Sequence, residues 1–266
     1  MLLSIRAEYA VFEVKMKVRL IGKNLSDIEG LLKDYDMQII TSGEPELVIA
    51  HGGDGTMLNS EREFPGIPKL LMRDCRTAPQ CEEHGYKDIL ESFAGGRLKL
   101  TELPKLVVTI RDTELYAIND IFVHNYERMN ALRYRVYIND ELYAKEVVGD
   151  AVGISSVHGS TAYYKSITHS IFRTGIGLSF SNSTEEVNHL VLPETSVVRV
   201  SIIRGPGLII SDNDRRTLLA DEGEDIFLKQ SSEKFGYFYG LQEFMCPKCR
   251  ILRHPNKSPY QGYIAP

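Results

Sequence analysis

Apolar and polar positions alternate most strictly between residues 132 and 138, where Leu132, Tyr134, Val136 and Ile138 interleave with Arg133, Arg135 and Tyr137. A period of two puts successive side chains on opposite faces, so a half-buried strand is expected here. Further apolar runs follow at Val197 to Ile203, Leu208 to Ile210 and Ile226 to Leu228. Turn-forming groups punctuate them at Asn139-Asp140, Gly205-Pro206-Gly207, Asp212-Asn213-Asp214 and Asp221-Glu222-Gly223. From about Lys99 the chain therefore reads as all-β.

The first hundred residues have a different texture, with strand-like runs alternating with helix-like ones, the signature of βα units around a parallel sheet. Val18 to Ile21, Met37 to Ile40 and Leu47 to Ala50 read as strands. Ser26 and Glu29 form a Ser-x-x-Glu capping box that should open a short helix carrying Leu31 and Leu32. The third strand runs into His51-Gly-Gly-Asp-Gly-Thr56, and helix-forming residues then extend from Met57 to Glu63 until Pro65-Gly66. The fold expected is α/β plus all-β. Residues 1–98 form an α/β domain with a parallel sheet, 99–230 a β-rich domain, and 231–266 a segment returning to the first domain. The tail beyond Cys246, with Pro247, Pro255, Pro259 and Pro266, reads as irregular.

Composition narrows the partners. A chain of 266 residues with 43% hydrophobic content can bury one large core or two small ones. Its net charge of -5 lacks the basic excess of a phosphate-tracking nucleic-acid binder. Arg6, Glu8, Glu13 and Lys15 interrupt the start, and no run approaches the roughly 18 apolar residues of a membrane span. A cytoplasmic protein that binds neither nucleic acid nor membrane is expected. Cys246 and Cys249 sit in a Cys-Pro-Lys-Cys knuckle that supplies half of a tetrahedral zinc site. Cys75, Cys81 and His254 are the candidates to complete it, and unrelated reduced thiols are the alternative, so no metal ligand is assigned from this pattern.

Gly52, Gly53 and Gly55 allow the backbone to approach a ligand closely, and the helix after them would aim free N–H groups and its positive dipole end at an anion. The turn lacks the Lys-Ser/Thr of a Walker loop and the Gly-x-Gly-x-x-Gly spacing of a dinucleotide fingerprint. What remains is Asp54 held among glycines. Local chemistry leaves two readings open: a carboxylate that meets an attacking hydroxyl or a metal ion, or a helix cap.

Gly-Gly-Asp-Gly-Thr at Gly52 to Thr56 resembles the hallmark of NAD kinases and of their relatives among diacylglycerol and sphingosine kinases. A second set of residues is more specific: Asn119-Asp120, then Gly149-Asp150, then Gly159-Ser-Thr-Ala-Tyr163, with Leu192-Pro193-Glu194 beyond. The likeness extends from about residue 47 to about 228. It implies an enzyme that moves the terminal phosphate of ATP or a related donor onto the adenosine ribose 2′-hydroxyl of NAD, with Mg²⁺ or another divalent cation, in a homodimer or homotetramer. It implies Asp54 as general base or orienter, with Gly53, Gly55 and Thr56 beside the nucleotide. Asn119 and Asp120 would bind NAD, Asp150 would lie toward the nicotinamide, and Thr161, Ala162, Tyr163 and Ser166 would line the adenosine pocket.

Three departures stand against that pattern. The family has Asn-Glu where this chain has Asn119-Asp120, and Thr-Pro-Thr where it has Ser156-Val157-His158. His158 is then expected to be a solvated loop residue, with an added phosphate contact as the alternative. A Gly-x-Asn-x-Gly segment is replaced by Met72 to Ala78, which carries Arg73 and Arg76 as candidate donor-phosphate ligands. A non-catalytic NAD or NADP sensor and a lipid or small-hydroxyl kinase of the same superfamily are the rival readings.

Overall fold

The computed structural model describes residues 15–254. The readings of residues 1–14 as lacking a leader and of Pro255, Pro259 and Pro266 as irregular lie outside the described residues.

The βα alternation builds the first part of the molecule. Strands β1 (Met16–Gly22), β2 (Met37–Ile39), β3 (Leu47–His51) and β4 (Lys69–Met72) pair in parallel in the order β2-β1-β3-β4. All five residues of β3 are buried, as a strand covered on both faces requires. Helices α1 (Ser26–Glu29), α2 (Asp54–Glu63) and α3 (Tyr86–Ala94) accompany these strands. Ser26 is not a cap: Leu25 holds the N-cap position, no side chain caps the helix, and α1 ends at Gly30 after a single turn. A glycine is required at 22, because a Cβ there would lie 1.9 Å from the His51 carbonyl oxygen at φ +135°. β1 and β3 can thus run side by side to their ends, Gly22 opposite His51.

The second part is a succession of antiparallel strands: β5 (Leu100–Ile110), β6 (Thr113–Ala117), β7 (Asp120–Asn125), β8 (Leu132–Ile138), β9 (Glu141–Gly149) and β10 (Ala151–Ser155). After the short helix α4 (Tyr163–Thr168) come β11 (Ile176–Ser181), β12 (Leu190–Leu192), β13 (Val197–Arg204), β14 (Gly207–Ser211), β15 (Leu218–Ala220) and β16 (Asp225–Tyr239). In β8 the alternation holds: Leu132, Tyr134 and Val136 are buried and the arginines between them are not. Asn139 and Asp140 both take positive φ to join β8 to β9.

Two sheets result. Among the described residues one has six strands in the order β12-β11-β10-β7-β14-β15, and the other has ten. The long strand β16 unites the larger sheet. It runs antiparallel to β5 over most of its length, with an irregularity between Gln230 and Phe235, and its last residues pair in parallel with β4. Leu106, Val108, Tyr134, Ile154, Leu178, Val200 and Leu228 form the core shared by the two sheets. Val18, Leu47, Ile49, Leu70 and Leu90 form another in the α/β part, and Met57, Leu71, Phe238 and Phe244 pack together beneath α2.

The tail is not irregular throughout. Helices α5 (Leu241–Phe244) and α6 (Pro247–Arg253) follow β16, and Pro247 stands at the start of α6, where a missing N–H costs nothing. No described helix is long and apolar enough to cross a membrane.

Candidate functional site

The glycine loop forms the step from β3 into α2. Asp54 is the first residue of α2, with Gly53 as its N-cap in extended conformation, and the Gly53 carbonyl accepts from the N–H of Thr56 and of Met57. Gly52 donates to the Met72 carbonyl at 2.8 Å, tying the loop to the end of β4. A side chain at 52 would place its Cβ 2.3 Å from Thr56 Oγ1. The Asn213 side chain donates to the Gly55 carbonyl at 3.1 Å and accepts from Arg62 at 3.0 Å, so the second part of the molecule is joined to α2.

Asp54 remains accessible, its side chain 63% exposed, and pairs through Oδ1 with Arg73 Nη2 at 2.8 Å. Arg73 is fixed from behind: its Nε donates to the Phe244 carbonyl at 3.0 Å, and its guanidinium lies 3.6 Å from the centre of the Phe244 ring. Arg76 instead pairs with Asp27. Of the two arginines in the departing segment, the structure therefore brings one to the aspartate and turns the other to α1.

A second group gathers where β7, β10 and the Gly159 turn meet. Gly159 is packed so closely that a Cβ would lie 2.0 Å from the Asn119 carbonyl oxygen. Ser156 clamps the same turn, its hydroxyl donating to the Ile118 carbonyl at 2.6 Å and accepting from the Gly159 N–H at 3.0 Å. Asn119 Oδ1 is buried without a hydrogen-bond partner, the condition of an acceptor awaiting a donor. Asp120 accepts from the Tyr163 N–H, and burial followed by the Asp212 charge raises its carboxyl to about 7. Tyr163 meets Phe122 edge-on at 4.6 Å and stacks on His124 at 5.8 Å.

The remaining candidates are less closely gathered. Thr161 ends the turn, its hydroxyl 3.4 Å from the His158 carbonyl, and Ala162 is exposed. Ser166 donates to the Tyr163 carbonyl at 2.7 Å, within its own helix. Asp150 lies at the opposite end of β10 from Asp120, since Ser155 pairs with Asp120 and Ala151 with His124. Its carboxylate accepts from Asn182 at 2.7 Å, and its charge reaches His124, whose pKa burial lowers more than Asp150 raises it. Tyr163 and His124 thus bridge the two ends of the candidate strip.

Two residues gain importance from the structure. His158 is not a solvated loop residue: it is half-buried, burial lowers its pKa to about 4, and Asp54 is the charge that opposes this. It stands next to Gly159 and within electrostatic reach of Asp54. Asp212 was legible only as turn punctuation. Its carboxylate accepts from the N–H groups of Ile118, Asn119 and Asp120 at 2.7, 2.8 and 3.1 Å, and burial outweighs these bonds to hold it at about 6. Asp212 also lines a cavity of about 240 Å³ behind α2 whose walls do not include Asp54.

The glycine turn presents an accessible carboxylate at a helix N-terminus, an arrangement suited to phosphate, and the polar and aromatic strip around Tyr163 is suited to a nucleotide. No protein-family model matches the chain. An NAD kinase of Enterococcus faecalis is 28% identical over 210 residues, covering 74% of each chain. One from Sulfurisphaera tokodaii is 25% identical over 257 residues, covering 86% of this chain and 98% of its own. Yeast NADH kinase complexed with NADH superposes with a TM-score of 0.73 at 17% identity over 92% of this chain and 89% of its own. An Archaeoglobus fulgidus NAD kinase in complex with ATP gives 0.69 at 14% over 86% and 96%. Over most of its length the chain is thus similar to NAD kinases, and it shares their fold.

Proposed function

We propose that this protein is an NAD kinase, transferring the terminal phosphate of ATP or a related donor to the adenosine ribose 2′-hydroxyl of NAD. The observation that carries this reading is the accessible Asp54 at the N-terminus of α2, within electrostatic reach of His158, which leads into the turn packed against Asn119.

In this reading Asp54 accepts or orients the proton of the attacking hydroxyl while the free N–H groups of α2 face donor phosphate. Tyr163 offers an aromatic face to a base, and Asn119 Oδ1 accepts from the nucleotide. Asp120 suits ribose hydroxyls, and Asp150 serves the nicotinamide side. Thr161, Ala162 and Ser166 complete the adenosine wall, with Gly53, Gly55 and Thr56 beside the phosphates.

An exposed hard carboxylate also fits a divalent cation, and as the alternative to proton transfer Asp54 is the residue that would hold Mg²⁺. When bound, the ion neutralises charge on the donor phosphates. The protein's own share is positioning, exclusion of water and direction of the 2′-hydroxyl in line with the donor. The reading extends to a cytoplasmic homo-oligomer and to a division near residues 98 and 230.

The test is NADP formation from NAD, ATP and Mg²⁺ by the wild-type chain and by Asp54→Asn. Activity in the first with a loss of at least about a hundredfold in the second is the expected result for a residue in proton transfer. NAD binding with no NADP from any phosphate donor would replace the kinase with a sensor.

A further inference from the structure

The structure gathers four potential metal ligands away from the glycine loop. The Cys246-Pro-Lys-Cys249 knuckle brackets the start of α6, and Cys81 and His84 flank the short turn that leads into α3. The ligand atoms of Cys81, His84, Cys246 and Cys249 all lie within 4.8 Å of one another. Cys249 Sγ is 3.3 Å from Cys81 Sγ and 3.2 Å from His84 Nδ1. Around a zinc ion, Zn–S bonds of about 2.3 Å and tetrahedral angles place sulfurs roughly 3.8 Å apart, so the closer pairs need to part and the wider ones to close by no more than about 1 Å. The spacing is Cys-x-x-His followed, far along the chain, by Cys-x-x-Cys.

We propose that Cys81, His84, Cys246 and Cys249 form a closed, structural zinc site that staples the segment following β4 to the C-terminal helix α6. The proposal stands apart from the kinase reading, because none of the four residues belongs to the strip around Asp54 and Tyr163. Cys75 and His254, two of the residues expected to complete the knuckle, lie outside the cluster, and His84 takes that place instead.

The surroundings suit three thiolates and a neutral imidazole. The Cys81 N–H donates to Cys249 Sγ at 3.2 Å, a bond that orients the sulfur and offsets its charge. Three thiolates on Zn²⁺ leave one net negative charge, and Lys248, Arg250 and Arg253 follow on the same helix. Arg253 Nη1 is buried with no hydrogen-bond acceptor, and Cys249 is among the groups acting on its charge.

The staple has a structural purpose. Between β4 and α3 the chain has little regular structure, held by the Cys75 N–H bonded to the Tyr86 hydroxyl at 2.9 Å and by the Asp74 side chain, which accepts from Asn24 at 2.9 Å. That stretch carries Arg73, whose anchor at Phe244 lies just before the knuckle. A zinc ion joining residues 168 positions apart fixes both walls behind Asp54 at once.

The experiment is elemental analysis of the full-length chain purified without chelator from zinc-containing medium, followed by replacement with Co²⁺. About one zinc per chain is expected, with the visible ligand-field and thiolate charge-transfer bands of tetrahedral cobalt. Cys246→Ser should lose the metal, whereas His84→Cys should keep it and gain charge-transfer intensity. If Cys246→Ser does not fold, the wild-type stoichiometry and His84→Cys decide. Hydrogen exchange in residues 73–86 and 241–253 should rise at least about tenfold on zinc removal while β8 and β13 stay unchanged. Folded protein with four reactive thiols and well under one zinc, an intact mass lower by two hydrogens as a disulfide would give, or zinc retained by a Cys246→Ser/Cys249→Ser variant would each overturn the proposal.

Discussion

Replacing Arg73 with alanine tests whether the departing segment has become part of the working site. The guanidinium makes four contacts: the 2.8 Å pair with Asp54, the 3.0 Å bond to the Phe244 carbonyl, the cation–π contact 3.6 Å from the Phe244 ring, and a weak 3.7 Å contact with the Met245 sulfur. The pair contributes at most about 1 kcal/mol, because Asp54 is mostly exposed and solvent screens it. The charged bond to a part-buried carbonyl is worth about 1.5–3 kcal/mol, and the ring contact about 0.5–2 kcal/mol. These contributions share one side chain and are not additive, so a loss near 3 kcal/mol is expected. For a chain of this size that lowers Tm by about 6–12 °C. Arg73→Lys keeps the charge but cannot hold both Asp54 and the Phe244 carbonyl in one planar fork. It should recover less than half of the stability while kcat stays depressed about tenfold, since a misplaced Asp54 affects the chemical step rather than NAD binding. Differential scanning calorimetry and initial rates of NADP formation measure the two effects. Arg73→Ala with unchanged Tm and kcat would refute the reasoning.

The Asp120 carboxyl is raised to about 7, so kcat/KM for NAD should climb as pH passes that value, and Asp212→Asn should move the climb to lower pH by removing the like charge; an unmoved profile excludes the coupling. Glu61 bridges Lys69 and Lys105 in a buried triad, and Glu61→Gln leaves two buried cations facing a neutral amide. A loss of about 3–5 kcal/mol in urea denaturation is expected, and a loss under about 1 kcal/mol would contradict it. His158, held at about 4, ionises less readily folded than unfolded; its stabilising share is complete above about 6.5 and is lost as pH falls toward 4. The full shift corresponds to about 3 kcal/mol, and partial exposure reduces that to about 1–2 kcal/mol. The difference in stability between wild type and His158→Gln should therefore narrow or reverse across that interval, and a constant difference would show that the imidazole is not linked.

The parts readable from the chain were those where a local pattern and the tertiary environment ask for the same residues. β8 alternates because one face is buried, β3 is apolar from Leu47 to Ala50 because both faces are, and the glycines at 52 and 53 mark the step into α2. What escaped detection depends on distant partners. β16 was visible only at Ile226 to Leu228, because Gln230 to Lys234 is polar enough to read as a turn; pairing with β5 on both sides of the irregularity carries the strand through to Tyr239. Asp212 sits in an Asp-Asn-Asp run typical of loops, and nothing local says that three N–H groups from residues 118 to 120 converge on it. α6 was hidden by Pro247, although proline is favourable in a first turn.

The same contrast explains how the site is divided between the two parts of the fold. The turn of the glycine loop closes within β3 and α2, and β4, Arg73 and Asn213 tie it in place. In the proposed reading the hydroxyl acceptor is held by the second part, which meets α2 through Asn213 on the Gly55 carbonyl and on Arg62, while the neighbouring Asp212 holds the N–H groups that lead into β7. The segment 211–214 therefore couples the position of Asp54 to that of Asn119 and Asp120. A shift there displaces the phosphate and acceptor halves relative to each other without touching a residue of either motif, and reactions governed by alignment are sensitive to displacements of about 1 Å.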